Sequence, residues 1–570
     1  MALPPTKAHS GIPGLVLVGV CLATLFVGLG QVRLWEPDEP RFAEATRQML
    51  ERGDLLTPWF NEQPRFEKPI LFYWLQLPFV AALGPTEVAV RLPAALAGLG
   101  CVLLTYLIGV RLLGERAAWL GALVLATLFR FATYARQGLT DVPALLFELV
   151  ALHGFLRSHQ NGGVGRASLL AWAAIGLAGA TKGPVAAIPI AIWVAFLVLA
   201  RDWRGLRHMR IVAGALVAVA IAAPWYIYMI ATHGQAFLDV ALGSEVVSRV
   251  GGALGPRRGA LYYFNVWPVD MLPWTPFFLL ALVFLAFARG QLDSLQRRAV
   301  VLLVAWFVVV IGAFSLSAGK LPHYLLPAYP AGALLSGWLI DRASTDGVAR
   351  RLWWVGAMLV VITLTAAAVL VWALLLRSTG PTMAPAAFVL PLLLATGAMV
   401  TAALALRRGP VAASTAIAVT VACAVAHASL VVIPRLEGLQ PIPPLGEVIE
   451  STATPHDLVG HYGTYGAPGL VFYSRHRVNA LASQDEVARF LGAPGRAFCV
   501  LPGRDAEAVA TLAPGAVHEI ARRPKLVVRF NRLFGQRPPY DDPLVLVSNR
   551  PGHEADGRSP AGNRPLETPK

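Results

Sequence analysis

Apolar residues gather along the chain in runs of roughly 17–25, separated by short stretches that hold most of the charge. Runs of that length cross a hydrocarbon core as helices, and a globular core does not need so many in succession. The pattern predicts about thirteen membrane-spanning helices, near residues 12–30, 90–110, 117–134, 142–157, 167–181, 184–200, 211–231, 271–288, 299–316, 325–340, 352–376, 384–406 and 411–433. The first run follows Lys7 and lacks a small-residue cleavage motif, so it reads as a retained signal anchor.

The basic residues give these helices a direction. With the first run leaving the cytoplasm, the clusters Arg111/Arg116, Arg157/Arg166, Arg201/Arg204/Arg207/Arg210, Arg289/Arg297/Arg298, Arg342/Arg350/Arg351 and Arg407/Arg408 all fall on the cytoplasmic side. The opposite short loops carry single basic residues: Arg136, Lys182, Lys320 and Arg377. A miscount by one span would scramble the alternation beyond the error. The expected location is a membrane crossed many times, with the single-cation loops on the face away from the cytoplasm.

Two segments on that outer side are too long to be turns, 31–89 and 232–270. In the first, 37–52 reads as an amphipathic interfacial helix with Phe42, Ala45 and Met49 on its apolar face. Arg41, Glu44 and Gln48 lie on the polar face. After Pro434 the pattern changes. Short apolar strands at 458–459, 497–501 and 525–530 alternate with helical stretches at 484–491 and 506–512. The fold class expected is mainly α, a polytopic membrane domain over 1–433 with a small outer α/β domain over 434–548. The stretch 549–570, rich in Pro, Gly and charge, reads as a disordered tail.

Composition supports the membrane reading and removes one alternative. Of 570 residues 56% are hydrophobic and 14% charged, where a soluble chain carries about 25% charged. A net charge of +15 could suggest nucleic acid, but the cations sit between apolar runs, where they orient helices. No nucleic-acid partner is expected. Cys21, Cys101, Cys423 and Cys499 show neither metal-site spacing nor a disulfide framework.

Charges near a bilayer that serve no topological purpose are candidates for chemistry. The densest set is Trp35-Glu36-Pro37-Asp38-Glu39-Pro40-Arg41, followed by Arg65-Phe66-Glu67-Lys68-Pro69. Asp38 and Glu39 stand where the interfacial helix begins, so they are either helix caps or functional acids. Asp141, in Gln137-Gly138-Leu139-Thr140-Asp141-Val142-Pro143, poses the same choice at the mouth of the fourth span. A third cluster is Ser317-Ala318-Gly319-Lys320-Leu321-Pro322-His323-Tyr324. It is no Walker loop, since Phe314 and Leu321 occupy the positions of the glycine and hydroxyl residue. Thr181-Lys182-Gly183-Pro184 fails the same test. His323 and His461 read as satisfied polar groups. Cations beside carboxylates on one membrane face suit a lipid phosphate with a general base near it.

Asp38-Glu39-Pro40-Arg41-Phe42-Ala43-Glu44, Gly53-Asp54, Pro58 and Phe66-Glu67-Lys68-Pro69 with Tyr73-Trp74 resemble the bacterial aminoarabinose–lipid A transferases. Those belong with the protein O-mannosyltransferases in the GT-C superfamily. Arg91-Leu92-Pro93, Asp141, Thr181-Lys182-Gly183-Pro184, Glu245 with Arg249, Pro273-Trp274 and Lys320…Tyr324 extend the resemblance over about residues 35–330. The resemblance implies thirteen spans and an outer C-terminal domain. It implies catalytic roles for Asp38 and Asp141, and a hold on the donor phosphate for Arg41, Lys68, Lys320 and Tyr324. Glu39, Glu67, Lys182, Glu245 and Arg249 would support them.

Glu67 matches a position that in the aminoarabinose transferases can bind a divalent metal beside a histidine. Here the later loop reads Gly255-Pro256-Arg257-Arg258, without histidine, and Arg65 stands where a tyrosine is expected. No cofactor is therefore expected. The implied reaction is inverting transfer from an undecaprenyl-phosphate sugar, a polyprenyl-phosphate donor, to lipid A or another envelope glycan or protein. The alternative is a transporter or lipid flippase, which would place its unusual charges at mid-membrane within broken helices.

Overall fold

In a computed structural model of the chain, residues 12–241, 243, 258–288, 292–379, 384–437, 440–464, 467–526 and 540–551 are described. The chain divides into two compact units, 1–33 with 42–435, and 34–41 with 436–570. The expected tail over 549–570 falls almost wholly outside the described residues.

The first unit is helical and has two chemically distinct ends. Helix Asp141–Gln160 has 20 residues and so spans about 30 Å, one hydrocarbon thickness. The chain rises antiparallel to it along Ala167–Lys182, turns at Gly183, and returns along Ile188–Leu199. Contacts at both ends establish this path. At one end Ser168 Oγ donates to Met209 O at 2.6 Å, Ser158 Oγ donates to His208 O at 3.0 Å, and His159 meets Trp193 and Phe196. At the other end Lys182 meets Asp141. Arg298 lies 3.5 Å from Asp202 at the first end. The basic clusters at 201–210 and 298 thus share one end, while Asp141, Lys182 and His323 share the other.

Among the described residues seven helices are long and apolar enough to cross a membrane, or nine if each of two bent pairs is one span. The protein is a multi-pass membrane protein. Several expected spans take other forms. The run at 117–134 breaks into Glu115–Ala126 and Phe129–Ala135, bent by 66°. Arg130 sits just past the break and is neutralised by Asp270 at 2.7 Å, which makes a charge at that depth tolerable. The run at 271–288 is the second limb of a pair bent by 113°. The stretch at 325–340 starts as the 3₁₀ turn Pro322–Ala328, because Pro322 and Pro327 cannot supply helical N–H donors, and continues as Tyr329–Arg342. The expected 167–181 and 184–200 are the two legs of a single apolar run, Ala167–Leu199.

The amphipathic helix at 37–52 is Asp38–Arg52. Phe42, Ala45 and Met49 are buried as the pattern predicts, but Glu44 and Gln48 are buried too. Glu44 accepts from Arg47 Nη2 and from Gln48 Nε2, each at 2.6 Å. Glu44 is thus satisfied within protein, while Gln48 Oε1 is buried without a partner among the described residues.

The second unit holds a five-stranded mixed sheet in the order Val478–Leu481, Leu458–Tyr462, Ala497–Pro502, Tyr540–Ser548, His518–Leu526. The first three strands are parallel, joined through helices Pro468–Ser474 and Gln484–Leu491. The last two run antiparallel. Ala497–Pro502 is buried along its whole length, as an apolar run in the middle of a sheet should be. The strand expected at 525–530 runs instead over His518–Leu526, and 527–530 lie outside the described residues.

Helix packing in the first unit depends on small residues at close crossings. A Cβ on Gly337 would meet Gly121 N at 2.5 Å and Ala117 O at 2.6 Å, so Tyr329–Arg342 lies backbone to backbone on Glu115–Ala126. Gly337→Val should therefore force the crossing apart and destabilise by about 1–3 kcal/mol. Thermal melting in detergent against Gly312→Val, where a Cβ meets nothing within 4 Å, checks this. Equal melting temperatures would refute the packing argument.

Candidate functional site

Asp141 is the first residue of its helix, and Lys182 is the last residue of Ala167–Lys182. A carboxylate at a helix start and an ammonium at a helix end each suit the local dipole. Lys182 Nζ donates to Asp141 Oδ1 at 2.6 Å, with both side chains largely buried. The cap position is held by Thr140, with Asp141 the first helical residue, so Asp141 is not its cap. His323 Nε2 stands 3.6 Å from the same oxygen, and Lys68 acts on Asp141 electrostatically. His323 is held in turn by Tyr134, whose hydroxyl lies 2.9 Å from Nδ1 and whose ring stacks on the imidazole at 4.9 Å. Tyr324 packs edge-on to His323, with Lys182 Nζ 5.7 Å from its ring centre.

Asp141, Lys182, His323, Tyr324 and Glu148, two turns further along the helix, line one cleft. Beside the cleft, Arg130 pairs with Asp270, which also accepts from the Tyr329 hydroxyl at 2.7 Å. The Arg130 guanidinium lies 5.8 Å from the Tyr134 ring centre. Sequence reasoning did not name Tyr134, Arg130, Asp270 or Glu148, and took His323 as a satisfied polar group. A signal existed for two of them: Arg130 and Glu148 stand inside runs counted as spans.

The segment leading to Lys68 is shaped locally. Trp59–Phe60 pairs with Gln63–Pro64 across Asn61 and Glu62, whose φ of 51° and 65° give the turn favoured by hairpins. Asp54 Oδ1 accepts from Leu56 N and Thr57 N, and Oδ2 from Trp59 Nε1 at 3.0 Å. Burial raises the Asp54 pKa, but these bonds outweigh it and hold the carboxylate below its ordinary range. Arg65 lies under Phe42 at 4.6 Å and pairs with Glu67 at 3.3 Å. Glu67 thus has a cation supplied by the chain itself. Arg91, another residue of the shared pattern, is buried and donates to the carbonyls of Leu29, Val32 and Arg33.

Lys320 is almost fully buried. Its ammonium donates to Ser317 O and, at 3.2 Å, to Arg258 O. Glu245 and Arg249 lie outside the described residues. In the second unit Asp38 and Arg41 form an ion pair at 3.6 Å with both side chains partly exposed. Glu39 is buried and accepts from Trp35 N at 2.8 Å, so it secures the turn before the helix. Glu36 Oε1 accepts from Gly469 N at 2.6 Å, while its Oε2 is buried without a partner among the described residues.

A protein-family model described as dolichyl-phosphate-mannose-protein mannosyltransferase matches residues 67–228. The chain is 30% identical over 326 residues to the undecaprenyl phosphate-alpha-4-amino-4-deoxy-L-arabinose arabinosyl transferase of Edwardsiella ictaluri (strain 93-146), across 56% of this chain and 58% of that protein. It therefore spans less than two thirds of that relative's length. An uncharacterized protein of Aquifex aeolicus (strain VF5) is 30% identical over 306 residues, across 54% of this chain and 68% of its own. The crystal structure of ArnT from Cupriavidus metallidurans bound to undecaprenyl phosphate is similar at a TM-score of 0.75 and 22% identity. That likeness covers 97% of this chain and 100% of the other.

The helical unit is that of a polytopic membrane protein, and its fold is the one seen in that ArnT structure. The chain belongs to the same family as the Aquifex aeolicus protein, and it is similar in sequence to the arabinosyl transferases and, over 67–228, to the protein mannosyltransferases.

Glu36 gives this part of the protein a pH dependence. Burial raises its pKa to about 7, against the Gly469 N–H and Arg41, with Asp38 adding to the rise. A folded pKa above the unfolded value means a contribution fully present below the unfolded pKa and lost as pH rises through about 7. Glu36→Gln cannot ionise, so its melting temperature should gain on the wild type between about pH 5 and 7 and hold that lead above. Melting curves across this range measure the gap. A constant gap would show that Glu36 does not change charge there.

Proposed function

We propose that the protein transfers a sugar from a polyprenyl-phosphate donor to an acceptor of the bacterial cell envelope. The reaction takes place on the periplasmic face of the inner membrane. The observation that carries the reading is the Asp141–Lys182–His323 cluster at the end of the helical unit opposite the basic clusters. The family supports the reaction class. The donor in this reading is an undecaprenyl-phosphate sugar, with an amino-deoxy-arabinose as first candidate, and the acceptor is lipid A. In the same reading the shorter apolar helices also cross the bilayer, giving thirteen spans, and 436–570 lies outside.

The reaction is an inverting displacement. An acceptor oxygen attacks the anomeric carbon, the new glycosidic bond forms, and the bond to the lipid phosphate breaks with its electron pair on phosphate. Lys68 and Tyr324 receive the charge that develops there, and the resemblance gives Arg41 the same role. Lys320, bonded to two carbonyls, shapes the loop that carries Tyr324. Where the acceptor is a hydroxyl, Asp38 takes its proton. Where it is a phosphate, already ionised, Asp38 orients it. Asp141, fixed by Lys182, supplies a set negative charge beside the cleft. In this reading no metal takes part, and Glu67 has Arg65 as its counter-ion.

Asp38→Asn separates this role from helix capping, because Asn caps about as well as Asp. Removing a general base costs about 10²–10⁴ in rate, so this variant should fold normally and transfer almost no sugar. Lys68→Ala should weaken use of the donor, raising its KM. Transfer in detergent from purified undecaprenyl-phosphate aminoarabinose to lipid A, read by mass spectrometry, measures both. Normal turnover by a folded Asp38→Asn would put the reading on the wrong residue.

A further inference from the structure

Two hydrogen bonds tie the segment before Asp38 to residues more than four hundred positions away. Gly469 N donates to Glu36 Oε1 at 2.6 Å, and Leu34 N donates to the Tyr473 hydroxyl at 2.8 Å. Gly469 and Tyr473 are four residues apart on helix Pro468–Ser474, so they share a face. Leu34 and Glu36, two apart on the segment, reach that face together. The helix itself is buried at Pro468, Gly469, Leu470, Val471, Phe472 and Ser474, which gives the segment a firm anchor.

Position 469 is shaped for this contact. A Cβ there would run into Glu36 Oε1, so only glycine lets the carboxyl reach the backbone N–H. Leu34 is fully buried. Trp35 N is taken by Glu39, so the backbone on either side of Glu36 is fixed as well. Helix Asp38–Arg52 starts two residues after Glu36. The clasp thereby sets the start of the helix that carries Asp38 and Arg41.

We propose that Glu36, seated on Gly469, is a positioning residue for sugar transfer, and that the C-terminal part of the chain serves the reaction by fixing the backbone that carries Asp38 and Arg41. This rests on Asp38 being the acceptor-directing carboxylate. A misplacement of about 1 Å at a reacting group costs on the order of 10²-fold in rate. Cutting one tether of two, with the helix still formed, should cost about tenfold.

The test uses the full-length protein and the same transfer assay, with Glu36→Ala, Gly469→Ala, their double variant and Glu36→Gln. Glu36→Ala and Gly469→Ala should each lower kcat about tenfold in protein that elutes as a folded monodisperse peak. The double variant should be no worse than the poorer single one, since both changes undo the same bond. Glu36→Gln keeps an oxygen for the Gly469 N–H and should stay within about twofold of wild type. Wild-type kcat in both single alanine variants, while Asp38→Asn is inactive, would overturn the clasp and leave the transfer reading standing. Losses that multiply in the double variant, or a Glu36→Gln as poor as Glu36→Ala, would overturn it as well. Normal turnover by Asp38→Asn would bring down the transfer reading, and the clasp with it.

Discussion

A buried ammonium and a buried carboxylate can share a membrane domain only if each neutralises the other, and Lys182 and Asp141 meet at 2.6 Å under that constraint. Separating them would strand a charge at a cost of about 3–5 kcal/mol. The pair fixes where Ala167–Lys182 must end and where Asp141–Gln160 must begin. The turn at Gly183 then follows, and with it the return leg Ile188–Leu199 towards the opposite end. His323 and Tyr324, carried by the turn Pro322–Ala328, close on the pair from another part of the chain. The cleft is what remains between these elements.

The two ends of the helical unit follow from the same economy. Arginines clustered at 201–210 and 298 need water or anionic headgroups, and at that end Arg298 and His159 both meet Asp202. At the other end the polar groups are few, and most are satisfied by one another: Arg130 by Asp270, Tyr329 by Asp270, Tyr134 by His323. Such closed sets of polar contacts are what a low-dielectric surrounding permits. They also hold side chains in one geometry, which is what a transfer site requires.

The alternation of basic clusters was legible in the sequence because it depends on order alone, and the shared end of Asp141, Lys182 and Lys320 came with it. The breaks were less legible. A hydropathy run cannot show that 117–134 bends at Thr127, because the bend is held by the Arg130–Asp270 pair across 140 positions. His323 looked bland because nothing near it in sequence reveals Tyr134 or Asp141. The strand His518–Leu526 was misplaced for a different reason. As an edge strand, carrying Arg522, Arg523 and Pro524 and interrupted by register shifts, it avoids the apolar pattern that marks central strands. Asp54 and Arg91 belong to the recognisable pattern, yet their bonds go to neighbouring backbone or to Trp59. Residues of a shared pattern can mark folding as well as chemistry.

The two carboxylates proposed for the reaction occupy opposite environments, and this would divide their work. Asp141 is largely buried, with Lys182 and His323 on the same oxygen. Protonating it would leave the Lys182 charge buried without its counter-ion, so its use is as a fixed charge and a point of orientation. Asp38 has a side chain 57% exposed and meets Arg41 at 3.6 Å. An exposed pair of that length is worth about 0–1 kcal/mol, so Asp38 can exchange Arg41 for an incoming acceptor at little cost. One carboxylate is thereby suited to stay charged throughout the cycle and the other to change partners within it, the division of labour by environment seen where two acids share one reaction.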